Sequence, residues 1–308
     1  NNITGSRIVD FSKFCDLAIS DKKMCVGKKN VMMSGFRDYN LDKYLNKIQK
    51  NNFTAVVYSQ DEKAAGTTRS LTGIYSPGTY FSNNEEKLTN NITCIWIEKC
   101  KNKIIVGCSN IDNYTGKSHI FEYITQYSNS PTPYDELERF ISIFNPSEAI
   151  LLSNMTEIDT IVSYCGLKTE CIHKINTVND SSTMSKRANN CEKQTYQDEI
   201  IKRFFGCSLF TYGDFVENNI AVQSFCFLLD FVYQHNPNMV SKIKIPVFEN
   251  CSDRLILANH SLSQLNMINA GENNGKLSSV SNFLNNCITP MGKRNFNLQL
   301  MNPSKDIN

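Results

Sequence analysis

The segment from residue 92 to residue 165 constrains the fold more than any other part of the chain. Its apolar patterns predict strands at 92–98, 103–112, 118–124 and 149–152, and helices at 134–144 and 158–165. A short turn at 100–102 joins the first two strands into a hairpin. A hairpin followed by alternating helices and strands predicts a mixed α/β sheet with helices packed on it.

A second strong signal is the apolar run from Ile220 to Tyr233. Its large side chains recur at helical spacing, which predicts a helix with a broad apolar surface. The run is too short, and too closely flanked by polar residues, to cross a membrane. Because the chain starts without an initiator Met and stops where a new segment begins, we interpret it as a fragment. We therefore expect the apolar face of this helix to lack some of its partners.

The composition is that of a globular protein. With 308 residues, 41% of them hydrophobic, the chain is long enough for two or three domains. The formal charge of +2 excludes strong whole-chain attraction to DNA, so any nucleic-acid contact has to come from a local patch. No signal peptide is recognisable, so we expect reduced thiols and an intracellular location, whether cytoplasm, nucleus, organelle or viral factory.

Metal and nucleotide motifs are not found in the sequence. The twelve cysteines are scattered, with no C-x-x-C and no Cys/His spacing of the zinc type, so we predict no metal site. Ordinary polar roles are expected for the four histidines, which share no spacing: His119, His173, His235 and His260. The sequence contains no G-x-x-x-x-G-K-[ST] loop, so neither an ATP site of that type nor a catalytic residue is assigned.

Patterns on both sides of the central segment complete the organisation. At the N-terminal side they predict a helix near Phe11, a turn around Gly35, a helix at 41–48, a buried strand at 53–58, and a strand at 69–75 that ends in a turn at 76–79. At the C-terminal side a helical pattern beginning at Val280 leads to Thr289-Pro290, where a second helix starts and continues to Pro303. In that helix we expect Gly292 to lie at a crowded point beside Lys293 and Arg294.

These three regions, in this order, resemble the MutS family of DNA mismatch-repair proteins. The positions that match its mismatch-binding domain are Gly35, Tyr44, Leu45, Val56, Pro77, Gly78 and Thr79. Those that match the D-x-x-T-G and N-P-x-E motifs of its connector are Asp112, Thr115, Gly116, Pro146 and Glu148, and residues 289–294 match T-x-M-G-x-R. The resemblance implies the end of a mixed-sheet mismatch-binding domain at 1–83, an RNase H-like connector at 90–205 and the start of a helical core or lever domain at 207–308.

The same resemblance implies a function for the parent protein. It would be a homo- or heterodimeric clamp that recognises mispaired duplex DNA and is driven by ATP and Mg²⁺ bound outside this segment, which itself would hold no cofactor. The family's Phe-x-Glu wedge is expected before Asn1. Arg37 and Tyr39 replace the family's Pro and His, and Asn259 and Ser261 replace acidic or Thr residues. These departures indicate a divergent branch, of the type found in giant viruses and octocoral mitochondria.

Three basic residues are the predicted DNA contacts. Arg69 lies in a strand before the Pro77-Gly78 turn, where the family carries basic residues facing the DNA backbone, and an Arg can bind a phosphate through two hydrogen bonds. Lys28 and Lys29 lie in a loop from which they could reach phosphate. A solvated surface position is the alternative for all three. The predicted structural motif residues are Gly35, Pro77, Gly78, Asp112, Gly116 and Gly292.

Two alternatives to a mismatch-recognition segment stay open. One is a metal-dependent nuclease on the RNase H-like region, with Asp112, Glu122 and Asp135 as the carboxylates; the other is a scaffold that does not bind DNA. For the three carboxylates we expect no metal, because they do not form a credible ligand set. Residues 176–195 are rich in Asn, Ser and Thr, and we predict a surface loop there.

Overall fold

The computed structural model describes residues 7–26, 29–60, 68–80, 88–167, 169–211, 213–249, 262, 264–267, 275–301 and 303–304. The chain divides into two compact units, Asn1–Asn84 and Glu85–Asn308. Each unit has its own strands and its own buried side chains, and the two are described one after the other.

In its described residues the first unit contains two α-helices and two antiparallel hairpins. Its elements are α1 (Ile8–Cys15), β1 (Ser20–Val26), β2 (Lys29–Met33), α2 (Leu41–Lys50), β3 (Ala55–Gln60) and β4 (Arg69–Tyr75), with β1 paired to β2 and β3 to β4. The helices pack together, and the small core contains the fully buried side chains of Cys15 and Leu45. Phe36 stacks on Tyr44 with ring centroids 4.3 Å apart, which fixes the turn before α2.

The strand predicted at 53–58 is present as β3, but the prediction that it is buried is wrong. Its side chains alternate between half-buried and exposed, and both Val56 and Tyr58 are more than half exposed. A run of apolar and β-branched residues reports strand propensity, whereas burial depends on what packs on the strand. The hairpin therefore presents apolar surface to solvent.

The second unit is built on a six-stranded mixed sheet. Its strands are β5 (Asn91–Cys100), β6 (Lys103–Asp112), β7 (Ser118–Gln126), β8 (Glu148–Ser153), β9 (Ile172–Asn176) and β10 (Val247–Phe248), in the order β10-β7-β6-β5-β8-β9. The β5–β6–β7 meander is antiparallel, and β8, β9 and β10 are each parallel to their neighbours. The mixed sheet predicted from the hairpin and the following alternation is thus confirmed.

Helices cover both faces of this sheet. They are α3 (Asp135–Phe144), α4 (Ile158–Tyr164), α5 (Thr183–Cys191), α6 (Gln194–Phe205), α7 (Gly213–Glu217), α8 (Asn219–His235) and α9 (Pro237–Val240). Alternate residues of β5 point to opposite faces: Cys94 and Trp96 pack in the cluster with α8, whereas Ile95 and Ile97 pack in the cluster with α3 and α4. A sheet covered on both faces explains why its central strands read as continuous apolar runs.

Helix α8 is the central buried helix of the second unit. It packs on β5, β6 and β7 and also contacts α5 and α6, and its side chains from Ile220 to Leu229 are buried. The helix itself was predicted correctly, but the expectation that its apolar face would lack partners is wrong, because the sheet and the preceding helices cover it.

The prediction of a loop at 176–195 is also wrong, since this segment contains α5. Ser182 caps the helix by accepting a hydrogen bond from the Ser185 backbone N–H at 3.2 Å. Met184, Ala188 and Cys191 face the core at helical spacing, so the apolar face is narrow and easily missed among polar residues. Arg187 then ties α5 to α8 through an ion pair with Asp230.

The last two helices among the described residues are α10 (Val280–Leu284) and α11 (Pro290–Met301). Pro290 is the first residue of α11, as predicted, because a proline at that position loses no helical hydrogen bond. Helix α10 is shorter than the pattern through Cys287 suggested, and Phe283 and Leu284 are about half exposed. The segment at 255–261, which includes Asn259 and Ser261, lies outside the described residues.

Candidate nucleic-acid interface and motif residues

The β3–β4 hairpin places Arg69 at an exposed end of the first unit. Arg69 is the first residue of β4 and pairs with Gln60, the last residue of β3. The side chains on this part of the hairpin are exposed, including those of Tyr58 and Leu71. Among the described residues no acidic partner is recorded for Arg69. Its guanidinium is thus accessible to a ligand in solution.

The hairpin itself is held at its opposite end. Ser76 and Thr79 bond to each other across the turn, with the Ser76 backbone N–H donating to Thr79 Oγ1 at 2.9 Å. Gln49 of α2 donates from Nε2 to the Tyr75 carbonyl at 2.6 Å. Pro77 and Gly78 lie within this turn, so their role in the structure is to terminate β4 next to α2. A Cβ on Gly35, by contrast, would meet no atom of the described residues within 4 Å.

Positive charge is concentrated in the first unit. Residues 1–84 contain twelve Lys and Arg against seven Asp and Glu, a net charge of +5, while residues 85–308 contain 20 against 23, a net charge of −3. Among the described residues of the first unit, two of these cations form ion pairs: Arg7 with Asp10 and Lys47 with Asp16. The nearly neutral total therefore conceals a basic unit and an acidic one.

Of the two lysines predicted to lie in a loop, Lys29 lies in a strand instead. Lys28 lies outside the described residues. Lys29 is the first residue of β2 and pairs with Val26, but its side chain is not described. Lys22 lies on β1, opposite Val31, so the sequence places several lysines on one hairpin.

The D-x-x-T-G motif forms a tight turn after β6. Asp112 accepts hydrogen bonds from the backbone N–H groups of Asn90 and Tyr114 at one carboxylate oxygen, and from the Thr115 hydroxyl at the other. Gly116 has a φ of +68°, and a Cβ there would lie 2.1 Å from the carbonyl oxygen of Lys242. Both motif residues thus have structural roles that the geometry explains.

Glu122 also serves the fold. Its Oε2 accepts a hydrogen bond from the Ala221 backbone N–H at 2.9 Å, at the N-terminus of α8. Burial raises the pKa of the Glu122 carboxyl, while the backbone N–H groups of Ala221 and Ile220 lower it. The helix can approach this closely because of Gly107, where a Cβ would lie 2.3 Å from the Ile220 carbonyl carbon.

The third carboxylate of the nuclease alternative is Asp135, in the first turn of α3. Burial raises the pKa of its carboxyl, and Glu138 and Glu136 raise it further. Within the described residues, Asp112, Glu122 and Asp135 do not form a group whose oxygens could share a metal ion. Two of the three are engaged in the hydrogen bonds of a turn and a helix N-terminus.

The structure assembles a different group of possible metal ligands. Glu148, Cys171 and His173 offer one ligand atom each, and these atoms lie within 4.8 Å of one another. Spacings along the chain do not reveal this group, because Glu148 begins β8, whereas Cys171 directly precedes β9 and His173 lies within it. Cys171 and His173 are two residues apart, so the alternation of extended backbone puts their side chains on one face.

The last motif residue, Gly292, lies in the first turn of α11. A Cβ there would lie 3.2 Å from Thr289 Oγ1 and 3.3 Å from Cys287 Cβ, and the Gly292 N–H donates to Thr289 Oγ1. Arg294 of the same helix donates to the Leu88 carbonyl at 3.2 Å. The motif therefore joins α11 to the residues before β5. No helix of the described residues is long and apolar enough to cross a bilayer.

Comparison with known proteins gives a family match over most of the first unit. Residues 9–84 match the family described as MutS domain I. A putative DNA mismatch repair protein, a mutS homolog of Acanthamoeba polyphaga mimivirus, is 26% identical over 85% of this chain and 26% of its own length. A mitochondrial DNA mismatch repair protein mutS homolog of Sarcophyton glaucum is 22% identical over 92% of this chain and 31% of its own length.

A third relative is DNA mismatch repair protein MSH3 of Debaryomyces hansenii, 24% identical over 92% of this chain and 27% of that protein. The chain thus spans between a quarter and a third of the curated relatives it matches. Residues 9–84 are a MutS domain I, and over most of its length the distant homologues of this chain are MutS-family mismatch-repair proteins.

Proposed function

We propose that this chain is the segment of a MutS-type mismatch-repair protein that grips duplex DNA through its first unit. The observation that carries the proposal is the net charge of +5 on residues 1–84, the unit that contains the MutS domain I. DNA binding proteins bind the phosphate backbone with local clusters of Lys and Arg. Arg69, exposed at the end of the β3–β4 hairpin, is the contact we assign, with Lys28 and Lys29 as further candidates.

For the second unit we propose an RNase H-like connector. An antiparallel meander of three strands continued by parallel strands, with helices on both faces, supports this assignment. Helix α8 and strand β10 pack on the same sheet, so we place the end of the connector after Phe248. The core or lever domain would then begin with the residues that lead to α10 and α11, later than the boundary at 207 predicted from the sequence.

For the whole protein we propose the activity that the resemblance to the MutS family implies. It would be a dimeric clamp that couples mispaired DNA to ATP hydrolysis, with ATP and Mg²⁺ bound outside this segment. The nuclease alternative has little support, because Asp112 and Glu122 hold the D-x-x-T-G turn and the N-terminus of α8. The scaffold alternative predicts no binding to duplex DNA and is tested directly below.

The test is a DNA titration at two salt concentrations with a matched duplex and a G·T duplex. Binding should weaken steeply with salt, because each neutralised phosphate releases counterions. Arg69→Ala should weaken binding to both duplexes by a similar factor, on the order of fivefold or about 1 kcal/mol. It should also reduce the slope of the logarithm of the binding constant against the logarithm of the salt concentration by about one. Phosphate contacts position a protein on DNA without reading the bases. The ratio of the affinities for the G·T and the matched duplex should therefore stay the same in Arg69→Ala.

Lys103→Ala is the matched control. It removes one positive charge from an exposed position at the start of β6, in the unit whose net charge is −3, and should leave both affinities unchanged. An equal loss in the control would mean that total charge, not the basic unit, determines binding. A loss confined to the G·T duplex in Arg69→Ala would show that this residue reads the lesion. No measurable DNA binding by the wild-type chain would favour the scaffold.

A further inference from the structure

The group formed by Glu148, Cys171 and His173 is the densest set of metal-ligand side chains among the described residues. The Nε2 atom of His173 lies 2.7 Å from Oε1 of Glu148 and 4.0 Å from Sγ of Cys171. The Glu148 side chain is fully buried, Cys171 is nearly so, and one third of the His173 side chain is exposed. An ion would therefore enter from the His173 side.

The sheet fixes these three residues in place. Strand β8 pairs in parallel with β9, with Ala149 opposite Ile172 and Ile150 opposite His173. In this register Glu148 lies opposite Cys171, and both point to the same face as His173. Thr169 Oγ1 accepts a hydrogen bond from the Cys171 N–H at 3.1 Å and donates to the Ser147 carbonyl at 2.7 Å. The backbone on either side of the group is thus held before any ion binds.

We propose that Glu148, Cys171 and His173 bind a zinc ion that fastens β9 to β8. A carboxylate, a thiolate and an imidazole are the three ligand types that zinc accepts, at about 2.0–2.3 Å each, which requires shifts of less than about 1 Å from the present positions. A water molecule completes a four-coordinate site. The site is independent of DNA binding and belongs to the second unit alone.

Zinc binding is coupled to loss of the thiol proton. A cysteine binds zinc as the thiolate, so the Cys171 thiol gives up its proton when the ion binds. Binding replaces the S–H bond by a Zn–S bond and releases the proton to solvent. Affinity should therefore fall as the pH is lowered.

The test uses the purified chain, freed of metal with a chelator and titrated with Zn²⁺ against a coloured competitor. One zinc per chain is expected, and Co²⁺ in its place should give a thiolate-to-cobalt charge-transfer band. Cys171→Ser and His173→Gln should each weaken zinc binding by at least about tenfold, and Cys171→Ser should abolish the band. Trp96, the single tryptophan, is fully buried on β5, so its fluorescence verifies that each variant is folded.

Two controls match these variants. His119→Gln breaks another His–Glu pair of the same sheet, where His119 Nδ1 lies 2.8 Å from Oε1 of Glu249, and that pair is in no three-ligand group of the described residues. Cys100→Ser removes an exposed thiol. Both should bind zinc like the wild type. Retention of zinc by folded Cys171→Ser and His173→Gln, equal loss in the controls, or the absence of a stoichiometric ion in the wild type would each overturn the proposal.

Discussion

The β3–β4 hairpin of the first unit and the β5–β6 hairpin of the second have similar connectivity but opposite surroundings. On β3, Val56 and Tyr58 are more than half exposed, whereas on β5 every residue from Asn91 to Ile97 is buried. The difference arises from the helices: two clusters of apolar side chains cover the second sheet on both faces. The comparison indicates that the second unit contributes most of the stability and that the first leaves strand surface available for a ligand.

The largest effect on stability is expected when a buried aromatic side chain is removed from α8. Phe225 is fully buried in the cluster between α8 and the sheet and stacks on Phe205. Phe225→Ala should lower the free energy of unfolding of the second unit by about 3–5 kcal/mol, because it leaves a cavity. Urea unfolding followed by Trp96 fluorescence measures this unit. Val56→Ala on β3 is the control and should leave the Trp96 transition in place; an equal shift would contradict the division of stability between the units.

A smaller effect is expected where the D-x-x-T-G turn meets the chain after α9. Gly116→Ala introduces a Cβ that would lie 2.1 Å from the Lys242 carbonyl oxygen, in a backbone with a φ of +68°. We expect the free energy of unfolding to fall by about 3 kcal/mol, which is the sum of the costs of overpacking and of the left-handed backbone conformation. Gly206→Ala has nearly the same φ, +69°, but meets no atom within 4 Å, so it should cost only about 1 kcal/mol. Equal losses, measured by the Trp96 transition, would show that strain alone accounts for Gly116.

The smallest expected effect concerns the Glu122 carboxyl that caps α8. Because burial raises its pKa in the folded state, the folded protein holds this proton to higher pH than the unfolded chain. The stability due to the protonated form is complete below the unfolded pKa and is lost as pH rises through the folded pKa. Relative to wild type, Glu122→Gln should therefore gain stability as the pH rises from the unfolded pKa of a Glu side chain, about 4.3, through the raised folded pKa. Unfolding curves at several pH values would measure this, and a difference that is constant with pH would refute it.

Elements with a strong local pattern could be predicted from the sequence. The bounds of β4 and β6 agree with the predicted strands, because β4 ends in the turn at 76–79 and β6 lies between two turns, at 101–102 and 113–115. Helix α3 was found from its apolar face, with Leu137, Phe140, Ile141 and Phe144 buried in one cluster. The mixed sheet followed from the order of these elements.

Features that depend on distant parts of the chain could not be predicted. The cover over α8 comes from strands more than 90 residues earlier, and the face of α5 is only three residues wide. The group at Glu148, Cys171 and His173 depends on the register of two parallel strands, which no local spacing reveals. The DNA contact at Arg69 stays a prediction, while the two-unit division showed that the basic residues are concentrated in residues 1–84.

The contact between Gly107 and the start of α8 has a consequence for how the protein is made. A ribosome adds about 5–20 residues per second, so the roughly 120 residues between the end of β6 and the end of α8 take about 6–25 s to emerge. During that time the residues of the β5–β6 hairpin have been synthesised, but helix α8, which covers the face that carries Trp96, has not. The nascent chain therefore exposes an aggregation-prone apolar face of the sheet, to which chaperones can bind. Slower translation of the residues before 235 lengthens the time for which this face is exposed.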